Sequence, residues 1–148
     1  MAEKQNKGVG VIITNKKKDR FFIQQKDNDH PIKEFRLKYC FFGGALEDGE
    51  DEEAGLSREL SEEINEEHSM IILKKSQRLF ESTFNNLIKQ RVTFVFYESI
   101  LSDKELMELE NIKINEGRGE LVGLKEMYFL PFLIDLEHML RKYLWTIR

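Results

Sequence analysis

The chain has 148 residues, 41% hydrophobic and 34% charged, with a net charge of −4. That length suits one compact domain spanning residues 1–148, and its 11 Phe, 4 Tyr and single Trp need a core, which excludes a wholly disordered chain. The acidic balance argues against a nonspecific nucleic-acid coat or a basic membrane anchor, no apolar run reaches the roughly 18 residues of a membrane span, and the single Cys40 excludes a disulfide framework.

The opening residues 1–7 lack the apolar stretch of a secretory leader, which with the lone cysteine predicts a reducing, cytoplasmic setting. Residues 8–14, Gly-Val-Gly-Val-Ile-Ile-Thr, read as a buried strand, and residues 15–19 as a hairpin turn into a second strand at 20–26. After a loop at 27–31, residues 39–44 form a short apolar strand ending in paired glycines. Residues 51–64 have helical character. Residues 70–73 and 77–83 are expected to form one long or broken strand. Residues 91–100 are the clearest strand of the second half, and Ser102 caps a short acidic helix or loop to Asn111. Residues 112–124 are expected to form a strand containing Gly117, Gly119 and Gly123. From Leu130, the three- and four-residue recurrence of Phe132, Leu133, Leu136, Met139, Leu140 and Tyr143 predicts a closing amphipathic helix with Pro131 near its first turn. Strands interrupted by one helix and closed by another predict a mixed sheet with helices on its faces.

The acids are concentrated. From Glu47 to Glu67 there are eleven Asp and Glu against one base, Arg58. Asp51 is a good helix N-cap, and Glu52 and Glu53 suit the positive end of the helix. Leu56, Leu60 and Ile64 share one apolar face. At about 100° per residue, Glu59 and Glu63 lie about 40° apart and Glu62 about 60° to the other side of Glu59, so three carboxylates share the neighbouring stripe. Gly55, one turn earlier on that stripe, lets another group approach the helix closely. Like charges at this spacing repel, and a purely structural helix gains nothing from them. Mg²⁺ or Mn²⁺ would relieve the repulsion, and Arg58 can grip one carboxylate bidentately. The chemistry suggested is metal-assisted attack of water on phosphorus. A solvated acidic helix face that binds a basic partner is the plainer alternative.

The spacing is specific. Gly44 is followed after five residues by Glu50, and after seven more by Arg58-Glu59-Leu60-Ser61-Glu62-Glu63-Ile64. This resembles the signature of the Nudix hydrolase (MutT-like) family, here covering residues 44–66. The resemblance implies an α/β/α sandwich with a mixed β-sheet, a loop–helix–loop catalytic motif and a C-terminal helix. It also implies hydrolysis of a nucleoside diphosphate linked to another moiety, with a nucleoside triphosphate or nucleotide sugar preferred, Mg²⁺ as cofactor and Mn²⁺ as substitute. Carried over by position, Glu59, Glu62 and Glu63 are the principal metal ligands, Arg58 orients them, Glu50 supports the loop or a second metal, and the Gly43 and Gly44 backbone approaches the metal or the diphosphate. Family resemblance also makes a homodimer reasonable; no nucleic-acid polymer or membrane partner is expected. The other family-based reading is a silent Nudix-fold module that senses a nucleotide without cleaving it.

Two positions depart from the signature: Asn65 stands for its final Gly and Glu66 for its aliphatic residue. Asn is the next best residue for the left-handed helix end expected there, and Met70 or Ile71 is expected to supply the missing apolar contact. Family members often take a general base from outside the signature. The segment Asn115-Glu116-Gly117-Arg118-Gly119-Glu120 resembles such a loop, with Glu116 the first candidate and Glu120 the second, against a plain solvated turn. Phe42, Phe84 and Tyr128 are candidates for stacking on a base, with core packing as the default. Phe21, Phe22, Phe94, Phe96 and Cys40 read as core. His30, His68 and His138 show no ligand spacing, and Lys16-Lys17-Lys18 reads as a solvated turn.

Overall fold

The computed structural model describes residues 6–147. The opening residues read above for a leader lie outside this range as far as residue 5. The centre of the sheet is β1 (Asn6–Asn15), buried from Gly8 onward. It runs parallel to β6 (Arg91–Leu101) along its whole length. Its other edge is shared by two antiparallel partners: β4 (Phe42–Ala45) pairs with Gly8–Val11, and β2 (Arg20–Gln25) takes over at Ile13 and Thr14. β2 in turn pairs with β3 (Tyr39–Cys40) and β7 (Arg118–Gly123), and β5 (Ser76–Asn85) closes the far edge beside β6. The result is a seven-stranded mixed sheet.

Strand alternation sends side chains to two cores. On one face Val9, Val11, Ile13, Phe22 and Phe42 meet Leu56, Leu60 and Ile64 of α1 (Glu52–Glu63) and its end, Ile72 of α2 (Glu66–Lys74), and Leu106 of α3 (Asp103–Glu110). On the other Ile12, Phe21, Ile23, Phe41 and Phe96 meet Met139, Leu140, Tyr143 and Leu144, one stripe of α5 (Ile134–Ile147). The expected α/β/α layering is therefore present. A further short helix, α4 (Leu124–Met127), follows β7 directly.

Five expectations are corrected. Residues 70–73 are helical, because the Asn65 side chain accepts from the His68 N–H and caps α2; a four-residue apolar run fits either period. Asn65 accordingly has φ −178°, extended rather than left-handed. The missing apolar contact comes from Ile72, fully buried, with Ile71 beside it, while Met70 is exposed. Residues 112–117 are a loop, and β7 starts only at Arg118, where pairing with Gln25 begins. The closing helix starts at Ile134, beyond Pro131, because the backbone at 131–133 is engaged with Tyr39: the Tyr39 N–H donates to the Pro131 carbonyl and the Leu133 N–H to the Tyr39 carbonyl.

Candidate active site

The two glycines before the acidic loop make space in opposite directions. Gly43 has φ 143°, and a Cβ there would lie 2.1 Å from the Val9 carbonyl oxygen. A Cβ on Gly44 would lie 2.6 Å from the Glu59 carboxyl carbon. The backbone can thus run against β1 while the Glu59 carboxylate rests on Gly44. The Gly43 N–H donates to Glu63 Oε1 at 3.0 Å.

The loop then folds over the start of α1. Asp51 caps that helix by accepting from the Ala54 N–H. Gly55 admits Leu46 and the Glu50 carboxylate: a Cβ there would meet Leu46 Cδ2 at 2.0 Å and Glu50 Oε1 at 3.0 Å. Arg58 ties the segment together. It grips Glu50 with two bonds of 2.9 Å from Nε and Nη2, donates to Glu59 Oε1 at 3.0 Å and to the Ala45 carbonyl at 3.1 Å, and reaches Glu62 at 3.5 Å. These bonds, with a further one from the Glu47 N–H, hold the Glu50 carboxyl down at about 2.

Glu63 is 5% exposed. Burial pushes it up to about 8, and the negative charges of Glu59 and Glu116 add to that against the Gly43 N–H and Lys26. Burial raises Glu59 as well, opposed by Arg58. Glu62 points outward, with 60% of its side chain exposed. Among the described residues no three acidic, His or Cys groups converge on one point: Arg58 holds Glu59, and Gly43 holds Glu63. The donor set nevertheless fits a hard divalent cation. It supplies carboxylate oxygens only, and the two inner carboxylates are destabilised by burial and by neighbouring glutamates.

Glu116 stands at this cluster: its charge is felt by both Glu59 and Glu63, and its carbonyl accepts from Gln24 Nε2 at 2.8 Å. Glu120 is not brought to it. That residue accepts from the Tyr39 hydroxyl at 2.6 Å and from Arg118 at 3.1 Å, on the α5 side of the sheet, while its neighbour Leu121 packs on the α1 side. Phe42 is fully buried and stacks on Phe22 with ring centroids 5.3 Å apart. Phe84 does line an opening, an apolar cleft of about 340 Å³ bordered by Gly44, Ala45, Phe35, Phe94 and Leu133. Tyr128 is half exposed beside Phe129 and Trp145, in a different hollow. Sequence reasoning missed Gln24, Lys26 and Asn115. The local signal was the polar Gln24 directly after the apolar run Phe21-Phe22-Ile23 of β2.

A mixed sheet between helical layers, with a double-glycine loop feeding a glutamate-lined helix under one arginine, defines a Nudix-type α/β/α protein. The NUDIX domain family model matches residues 4–139, and the chain belongs to the Nudix family. Solved structures share the fold at low identity. A MutT/Nudix family protein from Listeria innocua superposes with a TM-score of 0.71 at 18% identity, covering 99% of this chain and 96% of that one. A MutT protein from Methanosarcina mazei gives 0.66 at 17%, covering 97% and 96%. The Nudix domain of Shewanella oneidensis NrtR, in complex with ADP-ribose, gives 0.69 at 13%, covering 99% and 91%. No curated relative matches the sequence. No helix among the described residues is long and apolar enough to cross a membrane.

Proposed function

We propose that the chain is a single-domain, Mg²⁺-dependent pyrophosphohydrolase that cleaves the diphosphate linkage of a nucleoside diphosphate derivative, with a nucleoside triphosphate or nucleotide sugar the preferred class. The observation that carries this reading is the buried Glu63 carboxylate, met by a backbone N–H and set beside Glu59 on the helix that also bears Glu62. These three would hold the ion, with Glu50 and Arg58 keeping the loop and Glu59 in place. When bound, a divalent cation neutralises the diphosphate and makes water a better nucleophile. Glu116 accepts the proton of the attacking water. The water oxygen bonds to one phosphorus, the anhydride P–O bond breaks, and a nucleoside monophosphate leaves with a second phosphorylated product or pyrophosphate. The cleft beside Gly44 takes the apolar face of the base against Phe84.

The test is product release from a panel of nucleoside triphosphates, nucleotide sugars and ADP-ribose, the last included because a Nudix neighbour holds it. Each compound is run with Mg²⁺ and with EDTA, for the wild type and Glu62→Gln. Turnover that needs the metal and falls at least ~100-fold in the variant is expected. Nucleotide binding without turnover of any compound would overturn the enzyme reading in favour of a sensor.

A further inference from the structure

The end of α1 and the loop that carries Glu116 are joined by bonds that the signature does not contain. Helix termini leave their last carbonyls without partners inside the helix. Here the Asn115 N–H donates to the Glu63 carbonyl at 2.8 Å, and Asn115 Nδ2 donates to the Glu62 carbonyl. One residue on, the Glu116 carbonyl accepts from Gln24 Nε2 at 2.8 Å. Gln24 is 1% exposed, and its Oε1 accepts from Cys40 Sγ at 3.3 Å, which fixes which end of the amide faces the loop. One residue further, Gly117 turns with φ 62°, and its N–H donates to Asp27 Oδ2 at 3.2 Å. A Cβ on Gly117 would lie 2.0 Å from the Gln25 carbonyl oxygen, so the loop lies hard against the end of β2.

We propose that Asn115, Gln24 and Asp27 form a three-point clamp on the 115–117 loop, and that Gln24 and Asn115 are positioning residues for the Glu116 carboxylate. Three successive residues are each held, Asn115 by the end of α1, Glu116 by Gln24 of β2 and Gly117 by Asp27 just beyond that strand. Side-chain torsions remain free at Glu116, while its backbone is fixed to β2 on one side and to the metal-facing helix on the other. Glu116 therefore keeps its place relative to Glu62 and Glu63 through a path of backbone bonds rather than through a contact of its own carboxylate. Asn115 does two jobs at once, since it also completes the end of the helix that bears the glutamates. The inference about catalysis rests on the reading of Glu116 as the base. The clamp itself does not.

The test combines a kinetic cycle with amide exchange on the full chain. Gln24→Met keeps the volume and removes the donor. In the wild-type background it is expected to lower kcat about tenfold with KM within about twofold, and in a Glu116→Gln background to change kcat less than about twofold. A residue that merely stabilises the fold would lower kcat equally in both backgrounds, and that additive result would overturn the proposal. Gln24 is buried, so Asn115→Ala, at the surface, is the second variant. In either variant the Gly117 amide is expected to exchange at least ~tenfold faster, and the Asn115 amide likewise in Gln24→Met. Unchanged exchange in both variants would overturn the clamp whether or not any substrate is turned over. Wild-type turnover and its loss in Glu62→Gln judge the hydrolase reading separately.

Discussion

Two glutamates are buried among the described residues, one on each side of the sheet, and both are 5% exposed. Glu98, on the α5 side, is paired with Lys18 at 3.1 Å and accepts from the Tyr143 hydroxyl. Glu63, on the α1 side, has a backbone N–H and the charge of Lys26 against burial and two further glutamates, which together still raise it. The first arrangement is complete within the chain: a buried carboxylate has been given a cation and a donor. The second is left short of positive charge in a place where burial makes that costly. Their helices differ in the same way. The buried positions of α5 are Met139, Leu140, Tyr143 and Leu144, whereas those of α1 include Gly55 and Glu63 beside Leu56 and Leu60. One face holds the fold together, and on the proposed function the other keeps a site whose charge a bound cation balances.

Exchanging each glutamate for its amide should have the largest and most unlike effects on the two faces. Glu63→Gln is expected to lower kcat by about 100-fold, or about 2.7 kcal/mol. Its effect on metal-free stability has the opposite sign. Glu63 is raised in the folded state to about 8. Its contribution to stability is therefore fully present below the ordinary carboxylate range and is lost as pH rises through about 8. Thermal melts in EDTA should show the wild type losing stability relative to Glu63→Gln between about pH 5 and 8. A wild type that gains on the variant over that range would contradict the account. Glu98→Gln should instead destabilise the fold, by about 1–2 kcal/mol once the partial exposure of Lys18 is allowed for, and leave turnover near wild type. Chemical denaturation beside a turnover assay checks both halves.

Two smaller effects sharpen the picture at the edges of the site. Gly44→Ala would push a methyl group into the Glu59 carboxylate, a flexible side-chain end. A fall in kcat of about tenfold with little loss of stability is expected. Equal losses in stability and activity would place Gly44 in the packing instead. Phe84→Ala, in the cleft beside Gly44, should raise KM a few-fold with kcat nearly unchanged, because it removes binding that ground and transition states share.

The signature helix was legible because its face pattern and its spacing agree locally: Asp51 caps it, Leu56 and Leu60 bury it, and Gly55 admits Leu46 and Glu50. The start of α5 was not legible, since a long-range pairing with Tyr39 decides where that helix can begin. Asn65 misled through an analogy with glycine, when its side chain caps the next helix. Between Glu116 and Glu120 the sequence offered two acids in one acidic stretch. Strand alternation separates Glu120 from Leu121 once β7 is known to start at Arg118. What no local pattern carried is the bond from Gln24 to the Glu116 carbonyl, 92 positions apart.

On the proposed function a cation completes the Glu63 side of the sheet, whereas Lys18 already completes the Glu98 side. Calorimetric titration of Mg²⁺ into the wild type, Glu63→Gln and Glu98→Gln separates the two sides. Binding is expected to weaken at least ~tenfold in Glu63→Gln and to stay near wild type in Glu98→Gln. Equal Mg²⁺ affinity in the wild type and Glu63→Gln would contradict it.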